Sequence, residues 1–489
     1  MIVPTEIWTP RLSSTKPLLQ WQNVYNETDL YKAAIRLYTK PLFSWRKALA
    51  ASSDQRTLYD FARHGLQNLA LLHRRLQERT FHYRPGIALR HCFNGKARTL
   101  YVYPWEERLI DVMLYRLLTR RLNPWFSPHS YAYRDRHMDL HLCQRRVSKL
   151  LLKLPAPLFV LKRDVSDYFG SIDHEKLAQQ LARIVDPRDY LYSLLLQRIR
   201  FSYLESGIPK AATVGVPFGT AIACVFANIY LTDLDAAMAR IPQLVYFRYS
   251  DDILAVSAEP GPIQQAAELV RATFTELKLR SKPSQHHTWK VAHVAESRAE
   301  PGFENVDRFR HLGLEFRADR SVGLSRDKSR KIQNLFRYNF RRKKRMFARL
   351  PDSDQRAALA IRLAQDTLQR GVRNVALIDY YLRHATDLRQ WRRLDRWLAE
   401  EVLSLTFGGG HRRGFFARLP FQELRRRGLP SFVHRRRLIL HGHIDTPFFI
   451  WKNRQQERGS RGAAARAGSE VSGIRLFSPI PKAPAGTHS

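Results

Sequence analysis

The stretch Val245–Ser257, VYFRYSDDILAVS, sets two adjacent aspartates, Asp251 and Asp252, between two short apolar runs. β-Branched and aromatic residues on both sides of a small polar break predict a tight β-hairpin. The aspartates then fall at or beside its turn. Two neighbouring carboxylates repel each other and resist an apolar setting, so they need a counter-charge. Hard oxygen ligands favour Mg²⁺ for that role. Ser-Asp-Asp is also good turn chemistry, and taken alone the stretch reads first as a polar hairpin tip.

A third carboxylate changes the weighting. Leu158–Val165, LFVLKRDV, predicts an apolar strand with Asp164 near its end. Three carboxylates at the edge of one sheet can hold two metal ions. Such a pair activates an attacking hydroxyl and stabilises the leaving oxygen, the chemistry of nucleotidyl transfer. Around them, helical patterns cover 174–184, the small-residue run after Gly215 and 262–279, and FRHLGLEF at 309–316 predicts a strand with a glycine at its turn. Residues 280–308 read as irregular. The order from 158 to 316 predicts an α+β sandwich with helices on one face.

Upstream, residues 1–27 read as a loosely packed arm. Leu58, Phe61, Leu66, Leu69, Leu72 and Leu76 recur at helical spacing. Asn94-Gly95 marks a hairpin that places Lys96 and Arg98 on or near a turn. Pro104 opens a helix with acids in its first turn and arginines in its last, as the helix dipole favours. Asp139 is an N-cap candidate for the next helix.

Downstream, Arg326–Arg349 is a basic helical run with Ile332, Leu335, Phe336 and Phe340 on its apolar face. Helices continue to Leu405, Gly408-Gly409-Gly410 breaks them, and RRRGLPSFVHRRR at 425–437 forms a second basic cluster. From about residue 453 the composition predicts disorder.

The 489 residues carry 82 Lys+Arg against 44 Asp+Glu, a formal charge of +38. Such an excess self-repels without a polyanion, which makes nucleic acid the leading partner. No run of about 18 apolar residues offers a membrane span, and the N-terminus lacks a signal-peptide pattern, so a cytoplasmic protein is expected. Cys92, Cys143 and Cys224 are too few and scattered for a disulfide framework or a zinc site.

Read together, the motifs resemble those of bacterial reverse transcriptases of the group II intron and retron type. DVSDYFGSIDH at 164–174 is similar to the first palm motif, GVPFGTAIACVFANIYL at 215–231 to the second, and RYSDD at 248–252 to the Tyr-x-Asp-Asp box. HLGLEF resembles the primer-grip turn. GKARTLYVYPWEERLIDVML, NPWF and SYAYR resemble finger motifs, and LRQWRRLDRWL the helical thumb.

The resemblance implies a right-hand α+β polymerase fold: an N-terminal arm over 1–29, fingers over 30–157, an antiparallel-sheet palm over 158–320 and a helical thumb over 325–405. A basic helical extension over 406–452 and a disordered tail over 453–489 complete the expectation. It implies RNA-directed DNA polymerase activity with two Mg²⁺ ions, for which Mn²⁺ can substitute. The expected partners are an RNA template, such as a structured noncoding RNA, together with deoxynucleotides and the DNA product. No membrane partner is expected, and homo-oligomer formation is left open. By elimination of other lineages, the defence-associated "unknown group" enzymes are the preferred home. An intron maturase and an untemplated or protein-primed DNA polymerase are the alternatives.

Residue by residue, the resemblance makes Asp164, Asp251 and Asp252 the catalytic metal site, with the Val165 carbonyl as a further ligand. Phe169 matches the steric gate against a 2′-hydroxyl, although Tyr168 competes with it for the place of core aromatic. Lys96 and Arg98 match residues that grip the incoming triphosphate, Phe218 and Gly219 line the nucleotide pocket, and Gly215 allows close backbone approach. Tyr249 packs near the primer end, as do Leu312 and Gly313 of the primer grip. Arg134 either binds substrate or braces its loop. Phe218 stands where the family commonly has glutamine, and Ala223-Cys224 where Ser-Pro often follows. Gln285 lies near the place of the lysine thought to protonate pyrophosphate, leaving His286 or Lys282 to supply the proton.

Overall fold

The structure is a computed structural model that describes residues 18–39, 52–93, 96–134, 138–293, 298–369 and 372–444. The expected tail, Asn94 and Gly95 lie outside the described residues, as does the side chain of Lys96. The chain divides into two compact units, one ending at Val322 and the other starting at Gly323.

In the first unit, β1 (Gly86–Phe93) and β2 (Lys96–Val102) form the hairpin that Asn94-Gly95 predicts, with Phe93 opposite Lys96. β3 (Leu158–Arg163) follows the Trp105–Leu122 and Leu140–Leu151 helices. β4 (Ser202–Glu205) and β5 (Ile208–Ala211) extend the first hairpin into a four-stranded sheet of order β2-β1-β4-β5. β6 (Val245–Tyr249), β7 (Asp252–Ser257), β8 (His287–Val291) and β9 (Glu304–Val306) join β3 in a five-stranded sheet of order β6-β7-β3-β8-β9. Its pairs are antiparallel except β8 with β9. β10 (Arg308–His311) and β11 (Leu314–Arg317) form a further hairpin.

β3 is the central strand and every one of its residues is buried. A strand covered on both faces needs no alternation, and LFVL has none. One face joins Phe159, Leu161, Ile253 and Ala255 to Ala266 and Val270 of the Pro260–Glu276 helix. The Leu140–Leu151 helix lies against β6, and Asp139 caps it by accepting the Leu142 N–H at 2.7 Å. The expectation of helices on one face is therefore corrected.

A second correction concerns 280–308, where β8 pairs with β3 from Leu158–Val291 to Lys162–His287. HTWKV carries too many polar residues to announce a strand; pairing with a buried neighbour decides it. The Tyr190–Ile199 helix and the β4–β5 hairpin also went unread. Nor is the arm loose at its end. Trp21 is buried, stacks on Tyr25 and donates its backbone N–H to Asp189 at 2.7 Å.

In the second unit, helices at Arg326–Arg342, Ser353–Gln369, Val372–His384 and Leu388–Phe407 precede shorter ones at Phe415–Arg418, Phe421–Arg426 and Phe432–Leu440. Ile332, Phe336 and Phe340 are buried while the arginines of the first helix face outward or sit at its edge. Phe336 and Trp391 both meet Phe432, which ties the short helices after the glycine break to the long ones before it.

Candidate active site

The hairpin is as tight as its sequence predicts. Tyr249 pairs with Asp252, leaving Ser250 and Asp251 as a two-residue turn. Ser250 has φ 61°, the positive value hairpin turns use to match strand twist. A buried cation fixes this turn from behind. Arg248 binds the Asp235 carboxylate, with both side chains fully buried, and donates to the Ser250 carbonyl at 2.9 Å and to Asn228 Oδ1 at 3.4 Å. Tyr246 adds its hydroxyl to Asp235 at 2.8 Å.

Antiparallel pairing of β3 with β7 sets Arg163 opposite Ile253. Continued by one residue, that register brings Asp164 level with Asp252 at the sheet end. Asp251 lies beside Asp164, and burial and the Asp164 charge push its pKa up to about 7. Asp252 behaves oppositely. Lys162 Nζ sits 2.5 Å and His311 Nδ1 3.3 Å from its Oδ1. Burial works against ionisation, yet these partners hold the Asp252 carboxyl well below the ordinary range. Burial pushes His311 toward its neutral form, against the pull of Asp252.

The structure thus brings Asp164 and Asp251 together and engages Asp252 elsewhere. Among the described residues, no group of three or more His, Cys, Asp or Glu is arranged to hold a metal ion, and Asp252 is paired with Lys162 while its charge still acts on Asp251. The Asp164–Asp251 pair fits a divalent cation on its own chemistry: two carboxylates share a partly buried place, and burial together with like charge raises the pKa of one of them to about 7. Val165 is buried beside them and bridges antiparallel to Ser281.

The same bridge positions Lys282. Its backbone N–H donates to the Asp164 carbonyl at 2.8 Å and its Nζ lies 3.2 Å from Asp164 Oδ2. His286 is exposed. Of the two proton-donor candidates, only Lys282 is shown in contact with a site carboxylate.

Phe169 and Tyr168 separate cleanly. Tyr168 is buried and donates its hydroxyl to the Ala227 carbonyl. Phe169 is half-buried, with its ring 5.1 Å from Phe218 and 6.1 Å from Tyr133. The Arg98 guanidinium lies 5.3 Å over Phe218, and the Phe218 carbonyl accepts the Tyr101 N–H at 3.0 Å. Arg98, Phe218 and Phe169 therefore form one contiguous row. Gly219 has φ 105°. Gly215 has φ 85°, but its close approach is to Gly170, whose backbone would stand 3.0 Å from an added Cβ.

Tyr249 is half-buried on β6. Leu312 and Gly313 form the β10–β11 turn with φ 48° and 86°, and Gln144 donates to the Leu312 carbonyl. His311, one residue before that turn, reaches Asp252. Arg134 braces its loop, donating to carbonyls of Asn123, Ser127 and Ser130.

Sequence reasoning missed Lys162, His311, Arg248, Asp235 and Tyr133. The signal for Lys162 and Arg248 was a charged residue inside an otherwise apolar strand. Tyr133 gave no such signal; its hydroxyl lies 3.4 Å from Ser250 Oγ.

Residues 90–316 match the family model described as reverse transcriptase (RNA-dependent DNA polymerase). The chain contains a reverse transcriptase domain, and the motifs quoted from the sequence between those bounds belong to it. Protein YkfC of Escherichia coli K12 is 26% identical over 252 residues, 44% of this chain and 65% of that protein. An uncharacterized 91 kDa protein in cob intron of Schizosaccharomyces pombe is 25% identical over 162 residues, 33% of this chain and 19% of that protein. The chain thus spans less than two thirds of either relative. An apo telomerase structure from Candida tropicalis, truncated from the C-terminal domain, is similar with a TM-score of 0.37 and 12% identity, over 56% of this chain and 63% of that one.

Proposed function

We propose that the chain is an RNA-directed DNA polymerase that adds deoxynucleotides to a primer end, with 30–157 as fingers, 158–320 as palm and 325–405 as thumb. The observation that carries this reading is the meeting of Asp164 and Asp251 from separate strands, with Asp251 held near neutrality. Mg²⁺ is the cation these oxygens suit, held by Asp164, Asp251 and the Val165 carbonyl. When bound it would neutralise the carboxylates and the charge of the transferring phosphate. Asp252 supports the site from its bond to Lys162.

The chain's own groups do the rest. Arg98 offers a guanidinium to the triphosphate, aligned by the Phe218 face. Phe169 presents its ring where a 2′-hydroxyl would meet it. Lys282, beside Asp164, delivers the proton to departing pyrophosphate. Tyr249 and the Leu312-Gly313 turn support the primer. The +38 charge supports an RNA template and a DNA product as partners.

Primer extension on an RNA template tests the reading. Asp164→Asn and Asp251→Asn should each lower the rate at least about a hundredfold, and chelation should remove activity until Mg²⁺ or Mn²⁺ returns. Undiminished synthesis by Asp251→Asn would sink the assignment. The similarity to a protein in cob intron favours a second reading, an RNA-binding maturase. Splicing assistance that survives both substitutions would mark that role. A dedicated noncoding RNA and a role in antiviral defence rest on the sequence resemblance, and sequencing the nucleic acid that copurifies with the chain tests them.

A further inference from the structure

The family match ends at residue 316, and the unit starting at Gly323 carries a cavity of its own, about 780 Å³ in volume. Four arginines line it. Arg392 and Arg396 lie one turn apart on the Leu388–Phe407 helix, so both point to the same side. Arg413 comes from the loop after the glycine break and Arg425 from the Phe421–Arg426 helix. Among the described residues Arg392 and Arg413 have no ion-pair partner.

The one acid in the lining, Asp395, is buried and already used. It accepts the Ser431 hydroxyl and the Phe432 N–H, each at 2.6 Å. Those bonds fix the floor and leave the arginines as its charged face. Two aromatic rings complete the wall. Phe416 is half-buried, and Phe421 is 38% exposed, a large ring left at the water's edge. An adjoining cavity of about 520 Å³ shares Arg425 and Ser431.

Guanidinium groups take phosphate oxygens in planar, paired hydrogen bonds. Open aromatic faces take unpaired bases, and every base has such a face. The two together, in a volume suited to a small ligand, match one nucleic-acid strand and not a duplex, whose bases are already stacked. An acidic peptide would use the arginines and leave the rings idle.

We propose that this cavity binds an unpaired segment of single-stranded nucleic acid, with its phosphates on the four arginines and its bases on Phe416 and Phe421. It rests on the polymerase reading, which supplies such strands as template or product. It lies outside the nucleotidyl-transfer residues and would hold a strand while synthesis proceeds.

Full-length chain is titrated with fluorescent oligouridylate and with oligothymidylate, at salt high enough to suppress unspecific phosphate binding. Phe421→Leu keeps an apolar side chain and removes the stacking face. It should weaken binding about tenfold, as should the Arg392→Gln, Arg413→Gln pair, with melting temperatures unchanged. Photo-crosslinks from iodouridine should map to Phe416 or Phe421. Preference for the uridylate assigns the site to template and preference for the thymidylate to product; either supports the proposal. Unchanged affinity with adducts elsewhere overturns it, as does displacement by oligoglutamate as effective as by oligonucleotide. Primer extension by the same wild-type preparation is read separately. Its absence, with binding still sensitive to Phe421→Leu, overturns the polymerase reading and not the cavity.

Discussion

The Lys162 ammonium lies 2.5 Å from Asp252 Oδ1 with 7% of its side chain exposed. Removing one partner of a buried pair strands the other charge. Lys162→Met should therefore lower stability by about 3 kcal/mol, measured by denaturant unfolding. The Lys162→Met, Asp252→Asn double variant should recover part of that loss, since no charge remains stranded. Phe169 poses a separate residue-scale question. If its ring is the sugar gate, Phe169→Ala should raise ribonucleotide use relative to deoxynucleotide use about tenfold or more. The measurement is the ratio of kcat/KM for matched nucleotides. An unchanged ratio would return Phe169 to the core.

At the scale of elements, the loop before the Ala223–Tyr230 helix is tied down by His174, whose Nε2 lies 2.6 Å from the Gly215 carbonyl. The ring nitrogen donates there, which fixes the tautomer. Burial pushes the His174 pKa below the usual histidine value, aided by Arg200 and opposed by the Gly215 carbonyl, Asp173 and Glu175. The unfolded chain takes its proton near about pH 6.5, before the folded one does. This site's contribution is therefore full above that pH and is lost as pH falls toward the folded value. His174→Gln should show a smaller drop in melting temperature on acidification from about pH 7.5 to about pH 5.5 than the wild type does. An identical drop would discard the assignment. The hairpin turn depends likewise on Arg248 and Asp235, both fully buried. Arg248→Met should cost about 3–5 kcal/mol and slow extension by loosening Asp251.

For the whole molecule, the +38 charge sets how binding responds to salt. Each phosphate neutralised releases counterions, so affinity for RNA should fall steeply with salt, by about a thousandfold or more between 50 and 200 mM if six or more phosphates are engaged. A filter-binding series gives the slope. A nearly flat slope would show that the excess charge serves something other than nucleic acid. Among the described residues no helix is long and apolar enough to cross a membrane.

Much of this was open to reading along the chain, because the informative signals are local. VYFRYSDDILAVS has strand formers on both sides of a turn, so its hairpin needs no distant partner to be recognised. The Asn94-Gly95 hairpin, the Asp139 cap and the glycine break at 408–410 are local in the same sense. β8 was hidden, because HTWKV becomes a strand only when β3 supplies its hydrogen bonds. The separation of Tyr168 from Phe169 was hidden too, since adjacent aromatics differ only in what the rest of the fold packs against them. The sequence by itself determined that Asp251 and Asp252 lie at the tip of one hairpin and that Asp164 ends a separate strand. Only the tertiary structure decided that Asp251 and Asp252 differ. Burial and the nearby Asp164 hold Asp251 near neutrality, while Lys162 from β3 and His311 from β10 keep Asp252 charged. Asp164 and Lys162 come from β3 and its end and His311 from β10, so these groups reach the two aspartates only once the strands have come together.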